Sequence, residues 1–277
     1  LVVLVDGNSA SASEIVSGAL QDYDRAVILG QQTFGKGLVQ QTRPLSYNAQ
    51  LKVTVAKYYI PSGRCIQKID YFHKNKNGKA QNVPDSLISS FKTLVNKREV
   101  FDGKGIKPDV KMEQETLSKI ATVLLQKHHI FNYATEYRLA HDSIVDPLEF
   151  ELSEEEYIDF LKYLSDKSYE YSTRSEELLK EVKETAENEE YYQRIDQQFR
   201  ALEEKIAAEK KDDLKHFKDE IKQVLENEIV SRYYFQNGRI AQSLNEDPDV
   251  QKAIEILKDE GRYHGILAGK TPQQKGK

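Results

Sequence analysis

The chain has 277 residues, with 40 lysines and arginines against 45 aspartates and glutamates, a formal net charge of −5 and a single cysteine. That length suits one large or two ordinary domains. The lone Cys65 excludes an intramolecular disulfide, no apolar run approaches the roughly 20 residues of a membrane span, and basic residues are nowhere interleaved with stacking aromatics as a nucleic-acid surface requires.

In chain order, Leu1 to Val5 has the length and β-branched content of a buried strand. A serine-rich turn follows, Gly7-Asn8-Ser9-Ala10-Ser11-Ala12-Ser13-Glu14, and then a helix over 11–23 with apolar residues at Ile15, Val16, Ala19 and Leu20. A strand-to-helix turn lifts a side chain to the top of a sheet and sets it where free helix N–H groups stabilise an oxyanion. Ser11-x-x-Glu14 also fits a capping box, which serves any helix start. After a strand at 26–30 comes Thr33-Phe34-Gly35-Lys36-Gly37, a lysine framed by residues that let the backbone approach closely. A lysine serves as a general base at neutral pH only where burial or positive charge disfavours its ammonium form, and the positive end of a helix acts in that direction. Further strands are expected at 38–43, 51–59 and 98–101. Cys65 falls in a predicted strand as a small buried residue. The polar run His73 to Lys79 reads as a solvated loop that borders a groove or merely links strands.

Lysine and arginine predominate up to about residue 111 and acids beyond it, which sets a boundary near 112–114. From Glu115 the pattern is helical: Leu117, Ile120, Ala121, Leu124 and Leu125 recur at three and four, and Ser153-x-x-Glu156 caps a helix carrying Tyr157, Leu161 and Leu164. Residues 189–231 form an amphipathic helix or a pair, with a slip near 207–213. Its charges are most simply a solvated face, the alternative being an exposed apolar stripe that binds a partner. Asn237-Gly238 is expected to stop the preceding helix, and Asp247-Pro248 to start a short one ending at Leu257. Adjacent His128 and His129 point about 100° apart on a helix, unlike metal ligands at i and i+4. No metal or organic cofactor is expected.

Residues 9–15 (Ser-Ala-Ser-Ala-Ser-Glu-Ile), Thr33 to Gly37 with Val39-Gln40-Gln41, the segment Ala56 to Arg64 with Ile66-Gln67, and Gly105-Ile106-Lys107-Pro108-Asp109 together resemble the tail-specific, or carboxyl-terminal processing, serine proteases. The resemblance implies that Ser11 is the nucleophile, Lys36 its base, Gln40 the residue that orients Lys36, and Ala12 N–H an oxyanion donor. It implies an α+β chain in which residues 1–113 are the later part of a crotonase-like α/β core, 114–268 an all-α domain and 269–277 a disordered tail. The chain accordingly reads as a fragment lacking a PDZ domain and the early core. The expected substrates are proteins with accessible C-termini, in the bacterial periplasm or envelope, with a homo-oligomer left open. Two other readings stand beside this one: a non-catalytic helical scaffold, and hydrolysis of a small amide or ester.

Overall fold

The computed structural model describes residues 1–114, 116–245 and 247–270, which form two compact units, 1–114 with 247–270 and 116–245.

In the first unit, β1 (Val2–Val5), β2 (Val27–Gly30) and β9 (Val110–Lys111) form a parallel sheet in the order β1-β2-β9, with Val2 opposite Val27 and Leu29 opposite Val110. The expected first helix is α1 (Ala12–Asp22), the crossover between β1 and β2. Alternation along β2 sends Ile28 into a small core with Val5, Ala26, Ile60, Ile66 and Ile106. Val27 and Leu29 point into another with Ala253, Ile256, Ile266 and Leu267. These last four residues lie on α9 (Pro248–Lys258) and α10 (Glu260–Leu267). A helical domain running unbroken from 114 to 268 therefore differs from the structure, in which α9 and α10 cover a face of the parallel sheet because both faces of β2 are apolar. Of the expected 269–277 tail, residues 271–277 lie outside the described residues.

The predicted strands at 38–43 and 51–59 appear as the hairpin β3 (Leu38–Pro44) and β4 (Gln50–Lys57), with a register irregularity between Val39 and Gln40. The run 73–79, read as a solvated loop, is the exposed end of a second hairpin, β5 (Ile69–Lys74) and β6 (Ala80–Asn82): residues 75–79 form its turn, in which the Asn75 carboxamide oxygen accepts Asn77 and Lys79 N–H. A third hairpin pairs β7 (Ser90–Lys92) with β8 (Glu99–Phe101).

The second unit is helical: α2 (Lys119–Gln126), α3 (His129–Ala140), α4 (Glu154–Leu164), α5 (Arg174–Asn188), α6 (Tyr192–Lys211), α7 (Asp213–His216) and α8 (Lys218–Leu244). Ser153 and Glu156 make the expected capping box, the Ser153 hydroxyl accepting Glu156 N–H at 3.2 Å and the carboxylate accepting Ser153 N–H at 2.7 Å. The core joins Leu124, Ile130, Tyr133, Phe160, Leu164 and the α8 residues Ile221, Leu225 and Ile229. The long amphipathic stretch breaks at Asp212 and Phe217, close to the slip in its periodicity. Asn237-Gly238 does not stop a helix. The interruption comes at Phe235 (φ 55°, ψ −150°), after which helical residues resume as far as Leu244. Gly238 sits against Val230 and Tyr234, where a Cβ would meet Tyr234 Cβ at 2.2 Å, so its lack of a side chain serves packing within the helix rather than termination.

Candidate active site

Ser11 stands at the N-terminus of α1 with φ 57° and ψ −114°, a conformation that costs a non-glycine residue about 1–3 kcal/mol and persists only where its surroundings enforce it. They do so through Glu14. This fully buried carboxylate accepts hydrogen bonds from Ser11 N–H (2.9 Å), Lys36 N–H (2.8 Å), Gly35 N–H (2.7 Å) and the Thr33 hydroxyl (2.5 Å). The backbone nitrogens of Ser11 and Lys36 thus share one oxygen, Glu14 Oε2. Phe34 N–H adds a bond to Ser9 carbonyl at 3.0 Å. Local sequence showed Ser11 and Glu14 as a capping box; the structure shows that the Glu14 side chain also fastens the lysine loop to the serine turn.

The glycines flanking Lys36 are needed for different reasons. Gly35 has φ 87°, and a Cβ there would lie 2.3 Å from Lys68 Cβ. Gly37 has ordinary φ but packs so closely that its Cβ would come within 2.8 Å of Gln67 N. Gln67 reinforces the approach by accepting Gly37 N–H at 2.8 Å while donating to Ile69 carbonyl.

The three serines of the turn are distinguishable. Ser9 donates its hydroxyl to Asp6 at 2.8 Å; burial alone would raise the Asp6 carboxyl, but bonds from Ser9 and Asn8 hold it below the ordinary carboxylate range. Ser13 is exposed on the first turn of α1. Ser11 is half-buried, and Ala12 N–H beside it takes no partner among the described residues, leaving a donor free at the positive end of the helix. The structure brings together the backbones at Ser11, Ala12 and Lys36. It does not join the side chains: among the described residues Ser11 Oγ and Lys36 Nζ are not hydrogen-bonded to each other, Lys36 is exposed, and Gln40, exposed on β3 opposite Thr54, makes no bond to Lys36.

The far end of α1 is held by buried ions that the motif spacing did not disclose. Arg64, 1% exposed, binds Asp22 (2.9 Å), Gln21 Oε1 (2.8 Å) and Phe101 carbonyl (3.2 Å). Arg98 binds Asp24 and Asp109, each at 2.6 Å, and Gln21 carbonyl. Burial pulls the Arg64 guanidinium below its ordinary value, opposed by Asp22, and pushes the Asp109 carboxyl up, opposed by Arg98. Arg64 and Asp109, motif residues by sequence, thus act as the pins that fix α1 to the 62–64 and 107–109 segments. Among the described residues no group of three or more His, Cys, Asp or Glu side chains is placed to hold a metal ion.

A parallel βαβ unit that presents a strained serine at a helix N-terminus beside a glycine-framed lysine has the backbone elements that a serine nucleophile requires. Comparison agrees: residues 1–71 match the model of peptidase family S41, and residues 120–257 match that of the C-terminal helical domain of probable PDZ-proteases. Over 69 residues the chain is 59% identical to a carboxy-terminal-processing protease of Bartonella bacilliformis and 55% to a carboxyl-terminal-processing protease of Synechocystis, in each case 25% of this chain and 16% of the relative. It is 56% identical over the same length to the chloroplastic carboxyl-terminal-processing peptidase 3 of Arabidopsis thaliana, covering 13% of it. A solved photosystem II D1 C-terminal processing protease shares 33% identity, covering 42% of this chain and 21% of that one, with a TM-score of 0.27 that adds nothing about the fold. Residues 1–71 are thus similar to carboxyl-terminal-processing serine peptidases of family S41, and residues 120–257 to the helical domain of probable PDZ-proteases. The chain spans less than a fifth of the length of the curated relatives it matches.

Proposed function

We propose that residues 1–113 carry the nucleophile and base of an endopeptidase that cleaves polypeptides near their C-termini. One observation carries the reading: Glu14 ties the strained backbone of Ser11 and the backbone of Lys36 to a single carboxylate oxygen. Ser11 Oγ attacks the scissile carbonyl carbon, Lys36 Nζ accepts the hydroxyl proton and passes it to the leaving amine, and Ala12 N–H donates to the oxyanion. Water then attacks the acyl-enzyme, giving a proton to Lys36 Nζ, which passes it to Ser11 Oγ as the ester bond breaks. Gln40 orients Lys36. We read β1, α1 and β2 as the later portion of a crotonase-like core, covered on one face by α9 and α10, and residues 116–245 as a separate helical domain. We place the protein in a bacterial periplasm or envelope, where cell fractionation would find it.

The test is covalent. A fluorophosphonate probe should label Ser11 in the unaltered chain and lose that label in Ser11→Ala and Lys36→Ala, with far-ultraviolet circular dichroism unchanged. In the longer protein both variants should abolish peptide cleavage. Near-normal turnover in either would sink the mechanism. Exposure of Lys36 and Gln40 favours a second reading, in which this chain alone is a non-catalytic scaffold. Absence of labelling here, with cleavage by the longer protein, is the outcome that reading expects.

A further inference from the structure

Lys36 leaves a backbone whose two flanking peptide planes are each held by one side chain. Its own N–H, in the plane shared with Gly35, donates to Glu14 Oε2 at 2.8 Å. The next N–H, in the plane shared with Gly37, donates to Gln67 Oε1 at 2.8 Å. Peptide units are planar, so φ and ψ are a residue's only soft rotations, and fixing the planes on both sides of Lys36 fixes both angles. The direction in which its side chain starts is then fixed too. Gly35 and Gly37 supply little of this restraint themselves, because a residue without Cβ allows many conformations. It must come from the two acceptors.

Gln67, on the side away from Glu14, is itself held in one orientation. Its Nε2 donates to Ile69 carbonyl at 2.8 Å, a bond that only the amide nitrogen can make, so Oε1 is the atom turned to Gly37. Backbone bonds steady the same approach: Lys68 N–H donates to Gly35 carbonyl at 2.9 Å, and Tyr58 N–H to Gly37 carbonyl at 2.8 Å. Ile69 opens β5, and Val83 N–H, just beyond β6, donates to Lys68 carbonyl at 2.8 Å. Gln67 thus anchors the lysine loop to the foot of the β5–β6 hairpin. Because Lys36 is exposed, no packing along its side chain corrects a wrong starting direction.

We propose that Gln67 is a positioning residue for the lysine base. It acts through the Lys36–Gly37 peptide rather than on substrate: with Glu14 on the other side it sets φ and ψ of Lys36, and so restricts the region that Nζ can reach. The proposal rests on the peptidase reading above, which makes Lys36 the base.

Two replacements test it. Gln67→Met keeps the length of the side chain and removes the acceptor, whereas Gln67→Glu keeps an acceptor for Gly37 N–H and gives up the donor to Ile69. In the longer protein acting on a peptide, Gln67→Met should lower kcat by about 10- to 100-fold, the scale of a misplaced catalytic group, and leave KM within about twofold. The rise of kcat with pH that marks a lysine losing its proton should fade as well, because a base out of reach no longer governs the rate. Gln67→Glu should recover most of kcat. Thermal midpoints of both variants should stay close to the parent's, since Gln67 is only half-buried, and hydrogen exchange at Gly37 should quicken in Gln67→Met alone. If Gln67→Met does not fold, Gln67→Asn, one methylene too short to reach Gly37, carries the same expectations. Parent-like kcat in Gln67→Met, or a Gln67→Glu variant no better than Gln67→Met, would overturn the proposal while Ser11→Ala and Lys36→Ala, measured beside them, remain inert. Cleavage retained by Ser11→Ala or Lys36→Ala would instead sink the peptidase reading, and the role of Gln67 with it.

Discussion

The two units solve the same problem, fixing helices against their surroundings, by different means. In the helical unit an aromatic cluster does it: Tyr133 meets Phe160 edge to face at 5.0 Å between ring centroids, with Tyr137, Tyr157 and Leu164 around them. In the other unit α1 turns a polar face inward, burying Glu14, Ser17, Gly18, Gln21 and Asp22, while Val16, expected on the apolar stripe, is 60% exposed. Apolar packing fills space but tolerates sliding. Directional bonds from Glu14 at one end of α1 and from Asp22 and Asp24 at the other fix the helix in rotation and register. The unit built on buried charge is the one that must hold Ser11 in a costly backbone conformation.

Removing one member of each system should cost most and should expose the difference. Phe160→Ala should destabilise the helical unit by about 3–5 kcal/mol through the cavity it leaves. Arg64→Met should destabilise the other unit by about 3–5 kcal/mol because Asp22 is left buried without its counter-charge. What separates them is rescue: adding Asp22→Leu to Arg64→Met should recover much of the loss in urea unfolding, since the stranded charge is gone. No second polar change should recover Phe160→Ala. An Arg64→Met/Asp22→Leu pair no more stable than Arg64→Met would contradict the contrast.

Next in size is Glu14→Gln. The carboxamide keeps the volume of the carboxylate but turns an NH2 group towards backbone donors, so Ser11 and Lys36 lose their common acceptor. Fluorophosphonate labelling should fall about 100-fold, the scale expected of an ångström of misplacement, with most of the helical signal retained. A labelling rate within a factor of two of the parent would show that the Glu14 bonds do not position the site.

This contrast also marks what could be read from the sequence. The strand, turn and helix around Ser11 were legible because apolar runs, a serine cap and glycine punctuation are local signals, and the observed β1, α1 and β2 follow them within a residue or two. The bonds joining Glu14 to Thr33, Gly35 and Lys36, and Arg98 to Asp24, were not legible, since nothing local encodes pairing over 19 to 74 positions. The 73–79 run reads as a loop because residues 75–79 are the polar turn of its hairpin, while the apolar residues of β5, Ile69, Tyr71 and Phe72, come before it and do not keep the alternation that marks a half-buried sheet. Helix α9 was read from its Asp247-Pro248 start and grouped with the helices before it, α10 was not read as a helix, and only the apolar underside of β2 shows where the two belong.

A smaller and more local effect is expected at Gly35→Ala. The added methyl meets Lys68 Cβ at 2.3 Å in a backbone with φ 87°, so the loop carrying Lys36 must shift. A cost of about 1–3 kcal/mol is expected from the strain alone. Hydrogen exchange should quicken at Lys68 and Lys36 while α3, α4 and α8 remain protected, as befits a unit held by close backbone contacts.

The gentlest probe is alkaline titration, and here the helical unit should be the one to yield. Burial pushes the Tyr133 phenol up to about 12, and Tyr137 and Tyr157 are raised as well, by burial first and then by nearby carboxylates. A phenol whose folded value exceeds its unfolded value near 10 leaves stability intact below that pH. It removes stability progressively as pH rises from about 10 through the folded value, because the unfolded chain then releases protons the folded one retains. Between pH 10 and 12 the α3–α4–α8 core should therefore lose its near-ultraviolet aromatic dichroism, with absorbance at 295 nm rising in the same interval as phenolates form. An aromatic signal unchanged while the phenolate absorbance develops would show that these rings titrate in place, and that the helical core is held by something other than their exclusion from water.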